Sequence, residues 1–386
     1  MLANILEKTN ISYEIFEKTK EIKPVGAIIT ISPTVLPAFE QLGLYEDFLK
    51  MSYPVTGTDV RNKDAKLEAS ITIENFKQLV GYEFAVCQRS KLYDLLLSRV
   101  PDNKIHFGKR VVSLLQNKEG VMVRLHDGAT VHGDILVGAD GAYSAVRQHL
   151  YKQLSNMGKL PKSDSKPITK GFFCMAGITN PLDPQKIPDL KDEFCHCDTI
   201  IPNDGKYSWN TLTLPGNIIS WGTICQLDSE TYINEHLRNS EWSPEENEQL
   251  IKELLPSGGL GAVNAILDAV VLANCIYEMK IATYDAVTDA LNEYREQRYD
   301  EAKAQYESSK FSGKVYYGHT MMERAIRHVV VNYMPPSIQS YGVAKAMACR
   351  PQVAFLPLIP NRGTTEVIPQ KPSAKYFAEQ ARVATV

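Results

Sequence analysis

The residues from Asp134 to Arg147, Asp-Ile-Leu-Val-Gly-Ala-Asp-Gly-Ala-Tyr-Ser-Ala-Val-Arg, place a carboxylate, small residues and a cation where a phosphorylated ligand could be held. Ile135–Val137 is apolar and follows the turn-like His132-Gly133-Asp134, which predicts a short buried strand. Gly138–Gly141 reads as a tight turn, and Ser144–Tyr151 as a helix with Arg147 in its first turns. A strand that ends in glycines and opens into a helix lets backbone approach a phosphate, and the helix N-terminus favours negative charge. Asp140 is repelled by a pyrophosphate. It suits a ribose hydroxyl, a water, or a contact that orients the loop. The same residues also serve as a plain strand-to-helix connection capped by Ser or Asp.

Other positions carry related chemistry. Met1–Lys8 reads as the tail of a helix and Ser12–Phe16 as a strand ended by Glu17. A carboxylate at such a strand end can accept hydrogen bonds from an adenosine ribose, or it can simply be solvated. A dinucleotide fold opens with a strand, a Gly-x-Gly-x-x-Gly turn and a helix, the turn lying roughly 20 residues before the acid. No glycine precedes Gly26 here. The expectation is therefore a sheet without that phosphate-cradling turn and without its first strand, whose neighbours would be left unpaired. Arg89, in Cys87-Gln88-Arg89-Ser90, opens a helix through Leu97. A cation is unfavourable at that end of a helix, which hints at another use. Pro256-Ser257-Gly258-Gly259-Leu260-Gly261-Ala262 enters an apolar helix and offers backbone N–H groups to an anion or an electron-rich ring edge.

The bounds exclude several classes. A chain of 386 residues buries a large core, in two joined domains. A net charge of −3 gives no nucleic-acid footprint. Of seven cysteines only Cys195-His196-Cys197 clusters, and alternate strand residues without a second ligand pair predict no metal site. No run of about 18 apolar residues predicts a membrane-spanning helix. No basic segment followed by an apolar one marks a signal peptide. The expected location is cytoplasmic, free or peripheral to a membrane.

Further elements follow from pattern. Ser32-Pro33 starts a helix that Gly43 stops. Residues 104–132 form a meander. Tyr207–Leu214 and Ile218–Cys225 form a hairpin about Pro215-Gly216-Asn217. Ser243-Pro244-Glu245-Glu246 begins a helix. Residues 284–331 are helical, Pro335-Pro336 breaks the run, and residues from 375 onward read as a loose tail.

The order Gly-Ala-Asp-Gly-Ala-Tyr-Ser-Ala-Val-Arg resembles the second nucleotide motif of flavoprotein monooxygenases with the hydroxybenzoate-hydroxylase fold. The glycine-rich helix start, continued by Ala265-Ile266-Leu267-Asp268-Ala269, resembles that family's third flavin motif, although the strand and Gly-Asp that begin the motif are absent. Arg350-Pro351-Gln352-Val353-Ala354-Phe355-Leu356-Pro357 through Asn361-Arg362-Gly363 resembles the C-terminal signature of fungal monooxygenases that epoxidise prenyl chains of meroterpenoids and indole diterpenes. The resemblance implies an α/β (α+β) fold. Its incomplete Rossmann-like FAD-binding domain would span 1–168 and return over 243–283. A β-sheet substrate domain would be inserted over 169–242, with helices and an extended tail over 284–386. It implies FAD as cofactor, NAD(P)H as co-substrate, O₂, and a small apolar prenylated substrate. Glu17, Gly26, Arg89, Asp140, Gly141, Gly259, Gly261 and Ala262 would contact FAD. Tyr207, with Trp209 and Trp221, could face the substrate, or these could be ordinary sheet aromatics. The competing expectation is an FAD-free, non-catalytic remnant or interaction protein.

Overall fold

The computed structural model describes residues 1–22, 27–73, 75–141, 144–162, 164, 172–201, 207–226, 261–317, 321–370 and 372–383. Gly26, Gly259 and the helix expected from Ser243 lie outside the described residues.

The largest sheet has six strands, in the order Phe172–Ile178, Ile218–Gln226, Tyr207–Leu214, Cys197–Ile200, Gly57–Arg61 and Leu67–Thr72. Its centre is the expected hairpin, in register from Tyr207↔Cys225 to Leu214↔Ile218. The two turn residues Gly216 and Asn217 both adopt positive φ, which is why a glycine and an asparagine stand there. The sheet is antiparallel except where Cys197–Ile200 runs parallel to Gly57–Arg61, so it recruits two strands from the first hundred residues.

A second sheet places Ala85–Gln88, buried along its length, between Ile28–Ile31 and Ser52–Pro54. It forms one wall of the main core with Phe39, Phe48, Leu92, Leu267, Val270 and Phe355. Helix Gly261–Glu278 has the length and hydropathy of a membrane span. Its apolar residues are nevertheless committed to this core, with Leu267, Val270 and Ala273 wholly inaccessible.

The meander is present as Val111–Asn117, Gly120–Leu125 and Thr130–Gly133. Beside it, Ile15–Phe16 pairs in parallel with Ile105–His106. The sequence predicts a buried strand at Ile135–Val137, and here the structure differs. The backbone of Ile135–Ala139 makes no hydrogen bond among the described residues, and Val137 is 42% exposed. The reason is a missing neighbour. Leu136 and Phe16 both pack on the Leu114–Val123–Leu125 cluster, so the segment lies in the correct layer. No described strand runs along either of its edges, and a strand without a ladder is not one.

The long helical region divides into Tyr284–Tyr317, Met321–Tyr333 and Pro336–Ala346, the last opening on the expected proline break. The end of the chain departs from the expected loose tail. Ala374–Val383 is helical. Tyr376 packs on the main core, and Lys375 Nζ donates to the carbonyls of Tyr277 (3.0 Å) and Met279 (3.3 Å).

Candidate cofactor site

Glu17 sits where the strand Ile15–Phe16 ends, its backbone N–H donating to the His106 carbonyl at 2.9 Å. Its Oε1 accepts from the Thr19 backbone N–H (2.8 Å) and hydroxyl (3.0 Å), which fixes the side chain and leaves Oε2 uncommitted. Arg89 opens helix Arg89–Leu97 and ties it to Ala27 through its backbone N–H (3.3 Å). That helix start has no side-chain cap and no acid in its first turn. The Arg89 guanidinium is exposed and unpaired among the described residues. Tyr93, one turn further along, brings the two together. Burial raises its hydroxyl pKa, the Glu17 carboxylate raises it further, and the Arg89 charge opposes both. Sequence reasoning missed Tyr93, and its only signal was the spacing of four residues from Arg89 on one helix face.

Asp140 turns its carboxylate onto the next helix. Its Oδ2 accepts from the Ala145 (2.6 Å) and Val146 (3.3 Å) N–H groups, while Ser144 Oγ accepts from Arg147 N–H at 2.9 Å. Burial pushes the Asp140 carboxyl up. The bonds from Ser144 and from backbone N–H groups outweigh it and hold the pKa below the usual carboxylate value. Gly141 adopts φ +80°, and at Gly138 space is tight: a Cβ there would lie 3.0 Å from Val146 Cβ, which would have to shift. Sequence reasoning placed both glycines in the turn and named only Gly141 as a cofactor contact.

Gly261 and Ala262 open helix Gly261–Glu278, which has no acidic residue in its first turn. Gly261 is exposed and Ala262 packs on the core beside it. Arg298, almost wholly buried, holds this helix from the long helix behind it. Its Nε donates to Asp268 (2.8 Å) and its Nη2 to Asn264 (3.2 Å). Tyr207 opens the central hairpin strand, away from the groups above in sequence. In the same sheet the Trp221 ring lies over Gly177, where a Cβ would come within 2.7 Å. A groove of about 470 Å³ opens by Tyr45, Tyr53 and Glu193, and none of the expected site residues lines it. Burial pushes the Cys87 and Cys195 thiols up to about 12, which leaves them poor nucleophiles.

The comparisons with known proteins bear on these groups. A family model described as an FAD binding domain matches residues 1–170. The FAD-dependent monooxygenase ausM of Penicillium brasilianum is 27% identical, over 92% of this chain and 84% of its own length. The FAD-dependent monooxygenase atmM of Aspergillus flavus is 25% identical, over 94% and 85%. The chain is similar to FAD-dependent monooxygenases along nearly its whole length. Among solved structures, Klebsiella pneumoniae HpxO complexed with FAD and uric acid superposes on this chain with a TM-score of 0.69 at 18% identity, covering 91% of this chain and 94% of that one. The tetracycline destructase Tet(51) gives 0.62 at 14% identity, covering 93% and 95%. These likenesses extend the α/β FAD-binding fold over nearly the whole chain.

The donor and acceptor chemistry of these residues is compatible with FAD, the cofactor of the similar proteins. Among the described residues, Glu17 keeps one carboxylate oxygen without a partner, and the Arg89 guanidinium makes no hydrogen bond or ion pair. The helix starting at Gly261 carries no acid in its first turn. No glycine-rich turn between strand and helix for the pyrophosphate occurs before Glu17 among the described residues.

Proposed function

We propose that this protein is an FAD-dependent monooxygenase that uses NAD(P)H and O₂ to oxidise the prenyl chain of a small apolar secondary metabolite, by epoxidation of an alkene. What supports the reading is similarity to fungal FAD-dependent monooxygenases along nearly the full chain, joined to the C-terminal segment Arg350–Gly363. FAD, when bound, supplies the chemistry: it takes up reducing equivalents and activates O₂. The protein's own residues bind and orient. Glu17 receives the ribose, Arg89 neutralises negative charge on the cofactor, and the helix dipole beginning at Gly261 favours an anionic ring edge. Asp140 and Gly141 shape the turn ahead of the helix Ala145–Asn156. In this reading no side chain acts as a nucleophile. Tyr207 and its sheet exclude water and hold the apolar substrate.

The test begins with the visible spectrum of the purified chain after FAD addition and desalting. Retained flavin near one equivalent, followed by substrate-dependent NADPH oxidation with prenylated compounds, is the expected result. Arg89→Gln should weaken FAD binding about tenfold while leaving thermal unfolding unchanged, as loss of one charge-assisted hydrogen bond at an exposed site does. A folded but colourless protein would overturn the proposal and favour a non-catalytic remnant.

A further inference from the structure

Two packed sheets hide polar groups that the fold itself does not satisfy. The hairpin tip at Pro215 lies beside Ala85, in the groove described above. Next to it, Leu214 and Leu212 form one cluster with Val86 and Ile28, which joins the six-stranded sheet to the three-stranded one. Side chains alternate along a strand, and residues directly opposite share a face. The row of Leu214 and Leu212 therefore continues with Asn210 and Ser208, in unbroken register with Gly222 and Ile224. On the facing sheet, Val86 is followed on the same face by Gln88, which stands opposite Ile28. Away from the tip, both rows turn from apolar to polar.

Those polar groups lack partners. Ser208 is 2% exposed and its Oγ has no hydrogen-bond partner. Gln88 is 9% exposed, and its amide makes no hydrogen bond among the described residues. Nor does the Asn210 amide, whose Oδ1 lies so close over Gly222 that a Cβ there would come within 2.5 Å. Neighbouring hydroxyls on the large sheet are satisfied: Ser220 donates to the Gly177 carbonyl (3.3 Å) and Thr58 to the Cys197 carbonyl (3.1 Å). A buried polar group without a partner costs stability, so several at one place need a reason. The charges of the large sheet point the other way. Thr58 and Thr199 meet on this face, hydroxyl to hydroxyl at 3.2 Å, which puts Asp59 and Asp198 on the opposite one, where both pair with Arg61. The two facing rows carry no charged side chain.

We propose that Gln88, Asn210 and Ser208 select the substrate: they hydrogen-bond a neutral oxygen group, a hydroxyl or a carbonyl, and their uncharged surroundings turn away the matching carboxylate. A neutral oxygen completes the set of bonds, whereas an ionised group buried without a counter-charge is costly. Gln88 immediately precedes Arg89, so the selection takes place beside the groups assigned to FAD. The inference rests on the reading above that the protein acts on a prenylated compound, and it adds which polar group that compound carries.

The experiment is equilibrium dialysis of farnesol and of farnesoic acid against the full-length chain supplied with FAD, at a pH where the acid is ionised. Farnesol should bind at least about a hundredfold tighter than the acid. Ser208→Ala should weaken farnesol about fivefold, as loss of one neutral hydrogen bond does, and adding Gln88→Leu should weaken it about fivefold again. Ser208→Ala should also leave the unfolding temperature of the ligand-free chain unchanged or raised, because Oγ has no partner to lose; a hydroxyl with a structural role would lower it. Thr223→Val is the control. Its hydroxyl is likewise buried and unpartnered, but it stands on the opposite face, in register with Trp209, so farnesol should bind as to the parent. Equal binding of alcohol and acid overturns this inference alone, as does a farnesol affinity that Ser208→Ala leaves unchanged. Binding of neither compound by a chain that retains FAD overturns it together with the prenyl reading.

Discussion

The segments Arg350–Thr365 and Asp134–Gly141 are both irregular, and they are held in opposite ways. The first is knit to elements far away in sequence. The Arg350 guanidinium is buried. Its Nη1 donates to the Val80 carbonyl (2.6 Å), its Nη2 to Thr365 Oγ1 (3.2 Å) and its Nε to the Met347 carbonyl (2.8 Å). The Gln41 amide satisfies both the N–H and the carbonyl of Val353 (2.7 and 3.0 Å). Arg362 grips both oxygens of Glu40 (2.9 and 2.5 Å), and Tyr82 donates to the same carboxylate (2.8 Å). The second segment has small side chains at its turn, one capping carboxylate, and an upstream backbone that makes no hydrogen bond among the described residues. Irregular backbone is stable where side chains replace the missing ladder. A segment whose sequence suits a strand has no such side chains, and it stays open when the neighbouring strand is absent.

That contrast can be tested by substitution. Arg350→Ala should cost the most, about 3 kcal/mol in urea unfolding, because several buried carbonyl and hydroxyl acceptors lose their donor together. Gly363→Ala follows at about 2 kcal/mol, since its Cβ would lie 2.3 Å from the Leu79 carbonyl oxygen and only backbone movement can relieve the clash. Asp140→Ala should cost about 1 kcal/mol at neutral pH through loss of the cap. The Asp140 carboxyl is held below its usual pKa in the fold. Its contribution is therefore full above the unfolded value of about 3.9 and disappears as pH falls through the lower folded value. Parent and variant stabilities measured across that acid range should converge. Val137→Lys should be the mildest, within about 0.5 kcal/mol, because the side chain is exposed and its backbone carries no ladder. A large loss at Val137, or a negligible one at Arg350, would reverse the comparison.

The sequence was most informative where structure is local. The hairpin about Pro215-Gly216-Asn217 and the helix opening at Arg89 follow from turn chemistry and short-range pattern, and both lie where expected. The strand at Ile135–Val137 misled because strand formation depends on partners that local pattern cannot report. The bonds between Gln41 and Val353 span 312 residues, a separation that no motif announces. Helix Ala374–Val383 was hidden for the same reason, its position being set by Tyr376 and Lys375 meeting the core. At the cofactor site, Glu17 and Arg89 were legible as charges at strand and helix ends. Tyr93 was not, because an exposed tyrosine on a helix looks ordinary until its neighbours are known.

The clasp at Arg350–Thr365 has a consequence for synthesis on the ribosome. Glu40, Gln41, Leu79 and Val80 sit in the first quarter of the chain and find their partners only near its end. At ordinary elongation rates those groups wait on the order of tens of seconds before the closing segment emerges. During that interval the carbonyls of Leu79 and Val80 and the side chains of Glu40 and Gln41 lack the partners that the finished fold gives them.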